Sequence, residues 1–102
     1  MIVSLVELFE NTKVHSNQKN RTYDLREVFI NPEQVVCLRE DIQYQSLLTE
    51  NKLPSGLNSE QKFTRIHLNR GQSGIDVVVV GSPQQIQRKI YSQDKATRVL
   101  KD

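Results

Sequence analysis

The sequence predicts a mainly β domain, a small and strongly bent barrel of five antiparallel strands with a C-terminal helix. Five runs of β-branched and large apolar residues, each short enough for a strand, are separated by turn chemistry. A single helix-start signal follows the last run. Five short strands and one short helix within 102 residues favour a bent antiparallel barrel over a parallel sheet, with an open α+β sheet as the alternative.

The first run, Ile2 to Phe9, carries apolar residues on both parities: Ile2, Val6 and Leu8 against Val3, Leu5 and Phe9. One sheet face cannot hide them all, so this strand is expected to be sandwiched or to meet another subunit. Asn11 to Thr22 holds Lys13, His15, Lys19 and Arg21 with no acidic residue, and reads as a polar loop or long hairpin tip, with a phosphate-binding basic finger as the alternative. Tyr23 to Ile30 and Val35 to Arg39 are the next strands. Between them, Pro32 presets φ for a turn and Asn31 can bond the backbone just downstream, so a tight antiparallel connection is expected.

Asp41 to Lys62 is read as an insertion that packs over a sheet end or onto a neighbouring subunit; Ile42, Leu47 and Leu48 suit one side of a short helical turn there. Phe63 to Asn69 alternates, with Ile66 and Leu68 pointing one way and Arg65, His67 and Asn69 the other. Asn69 to Gly74 turns the chain with the help of Gly71 and Gly74. Ile75 to Val80 is a valine-rich run that fits a deeply buried strand. After Gly81, Ser82 serves as N-cap, Pro83 as first helical residue, and Gln85 completes a capping box. Ile86 and Ile90 share one face of a helix over about 83–91. The tail beyond Tyr91 carries Lys95, Arg98 and Lys101 and is expected to be frayed.

These elements make one domain over 1–102. With 36% hydrophobic residues and no Trp, the core must come from Val, Ile and Leu. A chain this short has a high surface-to-volume ratio, so apolar burial between copies is a physical expectation. Met1 to Phe9 lacks the basic leader of a secretory signal, and no stretch approaches the ~18 apolar residues of a membrane span. A cytoplasmic protein without membrane partners is expected.

The net charge of +2 is too small to steer the whole molecule to a polyanion, so such a site must be local or repeated around an oligomer. The lone Cys37 excludes an internal disulfide and a cysteine-based zinc cluster. His15 and His67 are far apart in the chain, with no carboxylate at ligand spacing. GxSxG, HExxH, Walker and GxGxxG motifs are absent. Glu7, Glu10, Asp24, Glu27 and Asp76 read as solvated strand residues or as ion-pair partners of Arg65 and Arg70. No enzyme activity, cofactor or metal is expected.

Two turns are the candidate ligand site: Asn31 and Gln34 in the first, Asn69, Arg70 and Gly71 in the second. Asn and Gln amides can read base edges, Arg70 can stack or bind phosphate, and Gly71 lets a backbone approach closely. The same residue types also serve turns for conformational reasons alone.

Leu68-Asn69-Arg70-Gly71-Gln72-Ser73-Gly74-Ile75-Asp76-Val77-Val78 resembles the second signature of the Sm-like family, which includes the bacterial Hfq proteins, with one extra residue between Arg70-Gly71 and Ile75. Asn31-Pro32-Glu33-Gln34-Val35 stands where the family has an Asp and an Asn, and 41–62 falls at its most variable loop. The likeness covers about residues 23 to 80, and the chain resembles divergent Sm-like proteins of cyanophage type. Met1-Ile2, Phe29-Ile30-Asn31-Pro32 and Lys89-Ile90 also resemble small flagellar-operon proteins. The Sm-like resemblance implies a homo-oligomeric ring whose edge strands pair between neighbours and which binds single-stranded RNA, with Asn31, Gln34, Asn69, Arg70 and Gly71 repeated around it and Tyr23 or Phe29 available to stack a base. The alternative is a structural or protein-binding homo-oligomer without RNA binding.

Overall fold

The computed structural model describes residues 2–11, 22–71 and 73–91. The basic loop at 13–21 and the tail with Lys95, Arg98 and Lys101 lie outside the described residues. Five strands form where β-branched residues concentrate: β1 (Val3–Asn11), β2 (Thr22–Ile30), β3 (Val35–Glu40), β4 (Phe63–Arg70) and β5 (Ser73–Val80). A short helix, α1 (Gln43–Thr49), precedes β4, and a second, α2, covers 83–91.

All pairings are antiparallel, in the order β2-β1-β5-β4-β3. The hairpin β1–β2 aligns Val3 with Ile30 and Asn11 with Thr22. The hairpin β4–β5 aligns Phe63 with Val80 and Arg70 with Ser73. It turns at Gly71, whose φ of 72° is a conformation that residues with a Cβ rarely adopt.

One expectation needs correction. The tight connection between β2 and β3 exists, but the strands it joins do not pair; they are the two opposite edges of the sheet. The sheet is therefore open, and no β2–β3 ladder among the described residues closes it into a barrel. It is nonetheless bent. Pro32–Gln34 form one turn of 3-10 helix, closed by the Gln34 N–H donating to the Asn31 carbonyl at 3.0 Å. Such a turn holds its ends within about 7 Å, and one residue step of about 3.8 Å on either side leaves Ile30 and Val35 within about 15 Å. A flat five-stranded sheet would hold its edges about 19 Å apart. The short connection can join them only because the sheet curls.

The sheet is covered on its inner face and over part of its outer face, so that β1 buries Val3 and Leu5 on one side and Leu8 on the other. On the inner face Val3, Leu5, Ile30, Ile66, Leu68, Val77 and Val79 pack with Ile86 and Ile90 of α2. That helix starts through reciprocal bonds: the Gln85 N–H donates to Ser82 Oγ at 3.2 Å and the Ser82 N–H to Gln85 Oε1 at 2.9 Å. Gly81 makes the corner with φ 128°, and a Cβ there would meet Ile86 Cδ1 at 3.1 Å. The buried Thr64 hydroxyl donates to its carbonyl at 2.8 Å.

On the outer face Leu8, Phe63 and Val78 form a smaller cluster, roofed by Tyr44, Leu53 and Leu57 from the 41–62 segment. Tyr44 meets Tyr23 and Phe63 edge-on at 5.7 and 6.0 Å. The segment thus packs onto its own sheet, although Ile42 is exposed and takes no part. The roof does not reach Ile2, Val6 and Phe29, which remain exposed, and in β5 the buried run is Val77 to Val79 while Ile75 is exposed.

Candidate functional site

The two turns singled out in the sequence lie at the same end of the molecule. The 3-10 turn touches β4, and Val35, the first residue after it, pairs with Leu68. That register sets Asn31 and Gln34 beside the segment Asn69-Arg70-Gly71. Asn69 is exposed and pairs with Gly74 across the hairpin; the backbone of Arg70 ends β4 opposite Ser73.

Asn31 serves its own turn first: its Oδ1 accepts the Glu33 N–H at 3.0 Å. Its amide nitrogen is left to donate, so a ligand there must present an acceptor, such as a base carbonyl or a phosphate oxygen. Exposed Glu33 lies in the same turn and repels anions. Of the two aromatic residues that the resemblance offers for stacking, Tyr23 is packed against Tyr44, whereas Phe29 is 64% exposed on an edge strand two residues before Asn31.

A second polar group occupies the outer face of β3, β4 and β5. Arg65 donates through Nε and Nη2 to Asp41 Oδ2 at 3.0 and 2.7 Å, and its Nη1 reaches Asp76 Oδ2 at 3.4 Å. The other oxygen of Asp76 lies 2.7 Å from Nδ1 of His67. Asp41 is buried, and its Oδ1 also accepts the Gln43 N–H at 2.9 Å. Cys37, Arg39, Arg65, His67 and Asp76 line a cleft of about 280 Å³.

The electrostatics follow from these contacts. The hydrogen bond from His67 holds the Asp76 carboxyl below the usual carboxylate range, with help from the charges of His67 and Arg65 and against some desolvation. Desolvation alone would lower the Arg65 pKa, but Asp41, then Asp76, hold it above its ordinary value. Burial raises the Tyr44 hydroxyl pKa.

His67 and Asp76 do form a pair, although no carboxylate stands near His67 in the chain. The register supplies it: β4 and β5 put position 67 opposite position 76. Counting outward from the turn beyond Arg70 would have found it. The Asp41–Arg65 pair spans 24 positions and carries no such local signal. A carboxylate on Nδ1 orients an imidazole as in acid–base dyads; no hydrogen bond joins His67 to Cys37 among the described residues. Nor does any group of three metal-ligating side chains converge among them, and no described helix is long and apolar enough to cross a membrane.

No protein-family model, curated protein or solved structure matches this chain.

Proposed function

We propose that this protein is a non-enzymatic binding module, an Sm-like protomer that assembles through its sheet edges into a homo-oligomeric ring and binds single-stranded RNA as a regulator of transcripts. The observation that carries the reading is the meeting of the two turns: Asn31 and Gln34 beside Asn69, Arg70 and Gly71 at one end of the sheet. Amide groups at such a place suit unstacked bases, which offer their edges and faces together, and exposed Phe29 supplies a face for stacking.

The open sheet supports the assembly. β2 and β3 each pair on one side only, and unpaired edges are templates for another strand. Joining β2 of one copy to β3 of the next is a head-to-tail contact that closes into a ring when the rotation allows. A ring repeats a weak site several times at high effective concentration, which compensates for a charge of only +2 per chain.

Titration with labelled oligo-A and oligo-U at low and moderate salt, beside light scattering for mass, tests this reading. An oligomer that binds either oligonucleotide and loses affinity with Arg70→Ala is expected. A well-folded oligomer that binds neither supports the second reading, a structural or protein-binding homo-oligomer. That reading is favoured by Glu33 within the turn and by the commitment of Asn31 Oδ1 to its own backbone. A monomer rejects both.

A further inference from the structure

We propose that copies of this chain join by laying β2 of one in parallel beside β3 of the next, the seam held by an ion pair between Glu27 and Arg39 of the neighbouring copy. The inference rests on the edge-assembly reading above and specifies its contact; it does not depend on RNA binding.

Strand direction limits the choices. Every neighbouring pair in the order β2-β1-β5-β4-β3 is antiparallel, so the two edges of this five-stranded sheet run the same way. A second copy that continues the sheet, with its outer face on the same side, therefore brings β2 against β3 in parallel. A two-fold contact would instead pair β2 with β2, or β3 with β3, antiparallel.

Charge decides between them. Leu25 pairs with Leu8 and packs against the outer cluster, and Glu27 stands two residues on, on the same face. Arg39 is on that face too, since it lines the outer cleft with Arg65, His67 and Asp76. The outer-face positions of β2 are Tyr23, Leu25, Glu27 and Phe29, with an acid and no base. Those of β3 are Cys37 and Arg39, with a base and no acid. A two-fold seam of either kind gathers like charges on its outer face. The head-to-tail seam gathers opposite ones.

Neither group is neutralised within its own chain. Glu27 accepts the Ser4 hydroxyl at 2.6 Å, and Arg39 reaches Cys37 Sγ at 3.7 Å. Both are exposed, and neither forms an ion pair among the described residues. The other charged residues of β2 have partners on β1: Asp24 takes the Asn11 amide and Arg26 takes Glu7.

Setting Glu27 beside Arg39, on strands about 4.8 Å apart, fixes the register. Cys37 then lies beside Leu25, and Glu40 ends β3 beside Val28, within the length of β2. Leu25 and Cys37 are both half-buried already, and their contact would shield the pair from water. A shielded interfacial pair is worth more than one on an open surface.

Charge reversal tests the seam. Light scattering across a concentration range gives the mass of the wild type, Glu27→Arg, Arg39→Glu, the double variant, and an equimolar mixture of the two single variants. Circular dichroism melts establish that each one folds. Either single variant sets like charges across every seam and should associate at least about tenfold more weakly. The double variant restores the pair with its ends exchanged and should recover the wild-type mass. The mixture should regain association as well, because every seam between unlike copies again joins opposite charges.

A wild-type oligomer whose mass survives both single substitutions overturns the seam and leaves edge assembly standing. Reversals that lower the melting temperature without changing the mass place the pair inside one chain and overturn it also. Dissociation that is not recovered in either the double variant or the mixture denies that these two residues meet. A monomeric wild type removes the seam together with edge assembly itself.

Discussion

Replacing Ile90 with alanine tests whether α2 is part of the cooperative fold or an appendage to it. Ile90 is fully buried, in one cluster with Ile86, Val3, Leu5, Ile66 and Val79. The substitution removes three carbons, at about 0.8 kcal/mol for each buried methylene, or about 2.4 kcal/mol of transfer free energy. A cavity term adds to this, since neighbours held by a sheet relax only in part, bringing the loss to about 3–4 kcal/mol. Small domains have about 5–15 kcal/mol in total, and each kcal/mol moves the melting temperature of a domain this size by about 4–8 °C. Urea unfolding followed by far-ultraviolet circular dichroism and tyrosine fluorescence is the assay, the chain having three Tyr and no Trp. A lower midpoint at unchanged slope is expected. Ile42→Ala is the control, because that side chain is 69% exposed and its loss should cost within about 0.5 kcal/mol. If Ile90→Ala costs no more than this control, α2 does not stabilise the sheet and the reasoning fails.

Ser82→Ala with Gln85→Ala removes both bonds of the capping box and should destabilise by about 0.5–2 kcal/mol in the same assay, with no effect on a variant already lacking Ile90 docking if the helix has come away. Arg65→Ala strands the buried Asp41 carboxylate and should cost about 1–3 kcal/mol, discounted for the partial exposure of Arg65, whereas Asp41→Asn in the same background should recover part of the loss because an amide oxygen can still accept the Gln43 N–H. The depressed Asp76 pKa makes its stabilising contribution fully present above the ordinary carboxyl range and lost as pH falls through the folded-state value. Melting temperature measured from pH 6 to pH 2 should therefore fall less steeply in Asp76→Asn than in the wild type. An unchanged slope would mean that His67 and Arg65 do not favour the ionised form.

The strands and α2 were legible in the sequence because their signals are local. A β-branched run such as Val77-Val78-Val79-Val80 disfavours a helix wherever it stands, and Ser82 and Gln85 face each other across one turn whatever packs around them. The turn at Asn31-Pro32 was legible for the same reason, down to the Asn31 side chain bonding the Glu33 N–H.

What that turn connects was not legible. An adjacent pair of strands around a short turn reads as a hairpin, yet here β2 and β3 take opposite edges because each finds a longer or better partner elsewhere: nine aligned residues between β1 and β2, and β4 alongside β3. Likewise the pairing of His67 with Asp76 is implicit in the β4–β5 hairpin register, but the pairing of Asp41 with Arg65 depends on β3 finding β4 across the 41–62 segment, where the Asp41 N–H extends the ladder to the Phe63 carbonyl. Local chemistry specifies elements through torsional preference and short-range hydrogen bonds. The order of the strands, the face left bare at Val6 and Phe29, and the cleft beside His67 depend on contacts between distant segments, and those exist only after the chain has closed its loops.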